Sequence, residues 1–196
     1  MGAVRQIQFM FLATAFTFTT TGCSSLHQNP QSSSAPATAA SDVRNNAASL
    51  LYDLLGDERN VGKLLIIKRD REELHRVIKD ISKTAAAAHG RLERFAKEDS
   101  QFNLKDTALP PGETATRDAE SKARAKEILR ASGADFEFKL LLSQAEALAY
   151  AEHLASVAAQ NESNSKHADA FREISAEMQR LHGQVLELLH PRGNAK

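Results

Sequence analysis

The chain has 196 residues, and its 25 Lys and Arg are balanced by 25 Asp and Glu, so no excess positive charge points to nucleic acid as a partner. One cysteine excludes an intramolecular disulfide. Trp is absent, Tyr numbers only 2, alanine is abundant and no proline falls between residue 36 and Pro110, which argues for helices rather than a sheet.

Residues 1–22 read as an export signal. Arg5 is the lone charge near the start, and Ile7 to Phe18 is apolar apart from Gln8, Thr14 and Thr17. A charged start, an apolar run of about 7–15 residues and small residues before a cut describe a secretory signal. The run falls short of the roughly 20 residues that a membrane span needs. Thr20-Thr21-Gly22-Cys23 follows. An exported chain has little use for one exposed reactive thiol, so Cys23 is expected to carry acyl chains; the other reading is a plain secretory cut that leaves a free thiol. The segment resembles the bacterial lipoprotein signal, in which a small residue precedes the modified cysteine. Gly22 fits, whereas Thr20 stands where that family usually has Leu or another aliphatic residue. The resemblance implies membrane attachment through acylated Cys23. With Ser24 and Ser25 after it rather than Asp, it implies an outer-membrane position facing the periplasm.

Residues 23–42 are rich in Ser, Ala, Gln, Asn, Pro and Thr and bury too little apolar surface to offset their ordering entropy. They are expected to form a disordered tether. Residues 43–190 suit one domain, and 191–196 a short tail. From Val43 to about Arg69, Ala47, Leu50, Leu51, Leu54 and Leu55 sit at helical spacing, and Val61, Leu64, Leu65 and Ile67 resume it after Gly56 and Gly62. This predicts one bent helix or two short ones. Asp70 is placed to cap the next helix, with Glu73 reaching back. Leu74, Val77, Ile78, Ile81, Ala85, Ala88, Leu92 and Phe95 make Arg71 to about Glu98 a long amphipathic helix. Ala85 to Ala88 leave little side-chain bulk there. Pro110-Pro111-Gly112 is expected to break any helix between Asp99 and Glu113. A shorter helix is predicted from Thr116 to Ala131, with Gly133 as its left-handed cap. Two long helices follow, from Ala134 to Gln160 and from Lys166 to Leu189, joined by a polar turn at 161–165. Long helices with short turns must bury their stripes against each other, so the expected fold is all-α, a four-helix bundle with an additional short helix in the crossover.

The order of several local patterns resembles an exported bacterial ferritin-like family of unknown function. Val61-Gly62-Lys63-Leu64 matches its first-helix pattern, and His89 the histidine of its second helix. Leu109-Pro110 matches the pair that follows that helix, Ser132-Gly133-Ala134-Asp135-Phe136 the opening of the next long helix, and Phe171 with His182 the spacing in the last. The resemblance covers about residues 45–189 and implies a ferritin-like bundle. Leu148 stands where the family carries a histidine, and Ala88 where it carries an acidic residue.

Ferritin-like carboxylate centres need two Glu-x-x-His pairs and two further Glu. Glu72-x-x-His75 is such a pair, but it lies in the first turn of its helix, where Glu is favoured by the helix dipole anyway. His89 and His182 lie on or beside apolar stripes and are the candidate ligands for a divalent metal or a small molecule, with Glu146 assisting if it faces inward. The competing reading is two partly exposed structural histidines. His27, His153, His167 and His190 are expected to be solvated, and Ser143 and Gln144 to be helix-face polar groups. No phosphate loop, nucleophile elbow or Cys–His arrangement is present, so no catalytic residue and no enzyme activity are expected. The expected function is a lipid-anchored envelope bundle that acts through a protein partner. Metal or small-ligand binding by His89 and His182 is the alternative.

Overall fold

The computed structural model describes residues 35–66, 71–105 and 107–190, with 35–38 and 66 by backbone only. The described residues are all-α, without strands. Five α-helices follow one another: α1 (Ala35–Glu58), α2 (Glu72–Glu98), α3 (Pro111–Arg130), α4 (Gly133–Gln160) and α5 (Ser165–Leu189). A 3-10 segment, Val61–Ile66, lies between α1 and α2. The Val43–Arg69 region is thus two helical pieces rather than one bent helix.

Three helix starts differ from expectation. α1 begins at Ala35, so residues 35–42 of the expected tether are helical; Ala35, Ala37, Ala39 and Ala40 favour helix, and a proline at 36 is tolerated in a first turn. α3 begins at Pro111, five residues before Thr116. Pro110-Pro111 therefore starts a helix rather than breaking one, because the missing proline N–H is a donor that a helix start leaves unpaired anyway. Arg71 takes the cap position of α2 without a side-chain cap bond, and Asp70 lies outside the described residues, as do Cys23, residues 1–34 and the 191–196 tail. Gly133 has φ +57, the left-handed conformation expected of it, and turns the chain from α3 into α4. Asn164 caps α5 by accepting from the amides of Lys166 and His167.

Packing follows the apolar stripes. α1 packs on α2 and α4, α5 on α4 and α2, and α3 lies on α4. The neighbours run antiparallel, since Arg44 near the start of α1 reaches Glu162 beyond the end of α4, and Arg91 on α2 reaches Glu173 on α5. One core joins them, with Leu51, Leu55, Leu74, Ile78, Ile81, Leu92, Phe136, Leu140, Leu148, Phe171, Met178 and Leu181 among its most buried side chains. The loop after α2 is tied down to α1. Ser49 donates to the Asn103 carbonyl at 3.0 Å, Asn45 to the Gln101 carbonyl at 3.1 Å, and Phe102 plugs the core. No helix among the described residues is long and apolar enough to cross a membrane.

Candidate functional site

Chemistry-bearing side chains gather at three places in the helical layers. The first lies at the end where α1 begins. Arg44 pairs with Glu162 at 3.5 Å, donates to the Gln101 carbonyl at 2.9 Å and lies over the Phe102 ring at 5.4 Å. His167 stacks on Phe95 with centroids 4.1 Å apart, and its Nδ1 is 3.7 Å from Glu162. Glu162 also accepts from the Asn164 amide at 2.8 Å. The side chains of Arg44, Glu162 and His167 are all buried. His167 is therefore not solvated: it sits one turn before Phe171 on the inward stripe of α5, and position outweighs residue type.

The second group surrounds His89. The imidazole is buried and stacks on Tyr52 of α1, centroids 4.0 Å apart. Its Nδ1 lies 3.2 Å from an Arg59 guanidinium nitrogen and 3.7 Å from Glu93. Because a guanidinium can only donate, Nδ1 is the acceptor and the neutral ring carries its proton on Nε2. Nε2 points at Gly56, where an added Cβ would sit 3.5 Å away. Burial, then the Arg59 charge, hold the His89 pKa below the ordinary histidine value, against a smaller upward pull from Glu93. Glu93 also accepts from the Tyr52 hydroxyl at 3.0 Å; burial and that bond raise the tyrosine pKa.

The structure does not bring His89 and His182 together. His89 faces α1. The Arg91–Glu173 and Phe95–Phe171 contacts fix the antiparallel register of α2 and α5. In that register the half-buried His182 lies across from the region of Ser82, about two turns or roughly 10 Å along α2 from His89. Glu146 is committed elsewhere: it is ion-paired with Arg124 and holds α3 on α4. Glu72 and His75 are exposed, as are His153 and His190, while His27 lies outside the described residues. Among the described residues no group of three or more His, Cys, Asp or Glu is placed to hold a metal ion.

The third group is a set of buried polar side chains on α1 and α4. Glu58, at the end of α1, is 3 % exposed, and Gln144 and Ser143 on α4 are 0 % and 2 % exposed. Ser143 and Gln144 are thus interior groups, not helix-face ones. Both carboxyl oxygens of Glu58, both amide atoms of Gln144 and the Ser143 hydroxyl are buried without a hydrogen-bond partner. Burial pushes the Glu58 pKa up to about 7; the Gln144 amide lies near enough to lower it somewhat, although no carboxyl oxygen attains proper bonding geometry. Such an acid is divided between its neutral and ionised forms at neutral pH.

Glu58 and Gln144 carry a sequence signal that residue type obscures. Glu58 follows Leu51, Leu54 and Leu55 at helical spacing, and Gln144 falls between Leu140 and Leu148 on the apolar stripe. Both positions face the core whatever residue occupies them. Comparison with protein-family models, curated proteins and solved structures finds no match.

Proposed function

We propose that the chain is a lipid-anchored bacterial envelope protein whose folded part is a ferritin-like four-helix bundle that acts, without catalysis, through contacts with a protein partner. The ferritin-like reading is supported by the pairing. Each of α1, α2, α4 and α5 has two antiparallel neighbours, and the α2-to-α4 connection carries α3 as a crossover helix. The family pattern supports it residue by residue. Gly133 turns into α4 with Phe136 buried behind it, Pro110 precedes a helix, and Phe171 lies in the core. The anchor rests on the signal-like stretch before Cys23.

The observation that carries the interaction role is an apolar ridge at one end of the bundle. Phe138 is 56 % exposed and Leu142, one turn on, 43 %; Leu186 on the neighbouring helix is exposed too. Phe138 borders a groove with Leu141, Leu188 and Leu189. Large exposed apolar groups that cluster mark contact sites more often than scattered ones do. The ridge lies at the end where α1 stops, a bundle length of roughly 40 Å from where α1 begins. Twelve positions separate Cys23 from Ala35, a reach of about 40 Å at full extension. An anchor at Cys23 joins the bundle at the end opposite the ridge, which favours a protein over the membrane as the occupant.

Envelope cross-linking from a reactive group placed at position 138 tests this reading. The expected result is a reproducible adduct with one envelope protein, which disappears when Leu142→Ser is added. Recovery of lipid adducts or of none would overturn it.

A further inference from the structure

Glu58, Gln144 and Ser143 are the most heavily buried polar groups without partners among the described residues, and they sit on two helices that pack against each other. A buried polar atom without a bond has lost its hydration and gained nothing in exchange. Four such atoms, on two side chains that approach each other, are difficult to reconcile with a dry interface. The neighbouring α2 presents small side chains here. Arg59 is bracketed on α2 by Ser82, whose hydroxyl donates to the Arg59 carbonyl at 2.6 Å, and by His89. Between those two contacts lie Ala85 and Ala88, buried residues that contribute only methyl groups at the level of Glu58.

We infer that Glu58 and Gln144 form an internal site in the α1–α4 interface that binds water, one or two molecules bridging the carboxyl group to the amide. The donor and acceptor set suits this ligand. A carboxyl oxygen and the Gln144 Oε1 accept, while the Gln144 Nε2 and the protonated carboxyl donate, and an internal water ordinarily needs two to four such partners. A cation suits it less well, since among the described residues no group of three or more His, Cys, Asp or Glu is placed to hold one. The inference is independent of the anchor and of the ridge.

Two measurements on the full chain test it. Deuterium and oxygen-17 relaxation dispersion of water counts molecules that reside long inside a protein. The unsubstituted chain should show at least one more than a Glu58→Met, Gln144→Leu double variant, and equal counts in two folded proteins would overturn the site. A crystal structure of the unsubstituted chain needs no folded variant. Density for water within hydrogen-bond distance of a Glu58 oxygen and the Gln144 amide supports the site. Direct Glu58–Gln144 bonds with nothing between, or a metal ion there, would overturn it.

Discussion

Glu58 on α1 and Gln144 on α4 approach each other inside the core, and neither completes its hydrogen bonds. The pair makes stability depend on pH in an unusual direction. The folded protein holds the Glu58 proton up to about pH 7, whereas the unfolded chain releases it near 4.5. Between those values the native state binds more protons, so stability falls as pH rises from about 4.5 through 7 and then levels off. The size follows from about 1.4 kcal/mol per pKa unit, or about 3 kcal/mol in all. Urea unfolding from pH 4.5 to 8.5 should show this decline, and Glu58→Gln should flatten it. A native profile parallel to that of the variant would count against a buried neutral acid.

His89 acts in the opposite sense. Burial and the Arg59 charge disfavour its protonated form in the folded state. The unfolded chain takes up the proton first as pH falls below about 6.5, and stability is lost there. His89→Ala should therefore steepen the net gain in stability toward acid, because the opposing contribution is gone. The same variant also loses the Tyr52 stack and leaves a cavity, a cost on the order of 1–3 kcal/mol at pH 8. Paired unfolding curves at pH 5 and pH 8 separate the two effects.

Much of the fold was legible because apolar periodicity is a strong signal. Leu74, Ile78, Ile81, Ala85, Ala88, Leu92 and Phe95 all lie buried on one face of α2, and the stripes of α4 and α5 behave alike. The buried polar groups are harder to recognise, because a polar residue type masks a core-facing position. Arg44 precedes Ala47 and Ala48 at helical spacing, and His167 precedes Phe171, so both had a stripe to continue. The extent of α3 was obscured for a different reason. Pro110-Pro111 reads as a breaker from composition but functions as a start, and only the chain's direction at Pro111 distinguishes the two. The distance between His89 and His182 depends on helix register, which residues packed on opposite sides of a turn do not reveal locally.

The Arg44–Glu162 pair is expected to show strong coupling. Both side chains are buried, with His167 and Phe102 around them. Removing one charge leaves the other unpaired in a dry place, a loss of about 3–5 kcal/mol. Glu162→Gln and Arg44→Met should each be severe, and the double variant should be milder than the sum of the two. A double-mutant cycle in denaturant measures this directly; additive losses would show that the pair contributes no specific interaction.

Metal content should not depend on the two histidines, because His89 gives its Nδ1 to a guanidinium and His182 lies about two turns away along the bundle. Elemental analysis of untagged protein should give the same values for the unsubstituted chain and for His89→Ala, His182→Ala. A stoichiometric metal that the double variant loses would restore a binding function to these residues.

The anchor has a chemical test that is independent of the bundle. If Cys23 bears acyl chains, its N-terminal peptide should carry their mass, and Cys23→Ser should release the chain from the membrane fraction. Each buried methylene contributes about 0.8 kcal/mol, so one chain attaches reversibly and several attach firmly. The replacement removes all of that energy while leaving α1 to α5 unchanged, since Cys23 lies outside the described helices. The released variant should keep the unfolding midpoint of the anchored protein and lose the position-138 cross-link, because the ridge is then no longer kept within the tether's reach of the membrane. Retention of the cross-link by the soluble variant would show that the partner is met by diffusion and that the anchor serves only to retain the protein in the envelope.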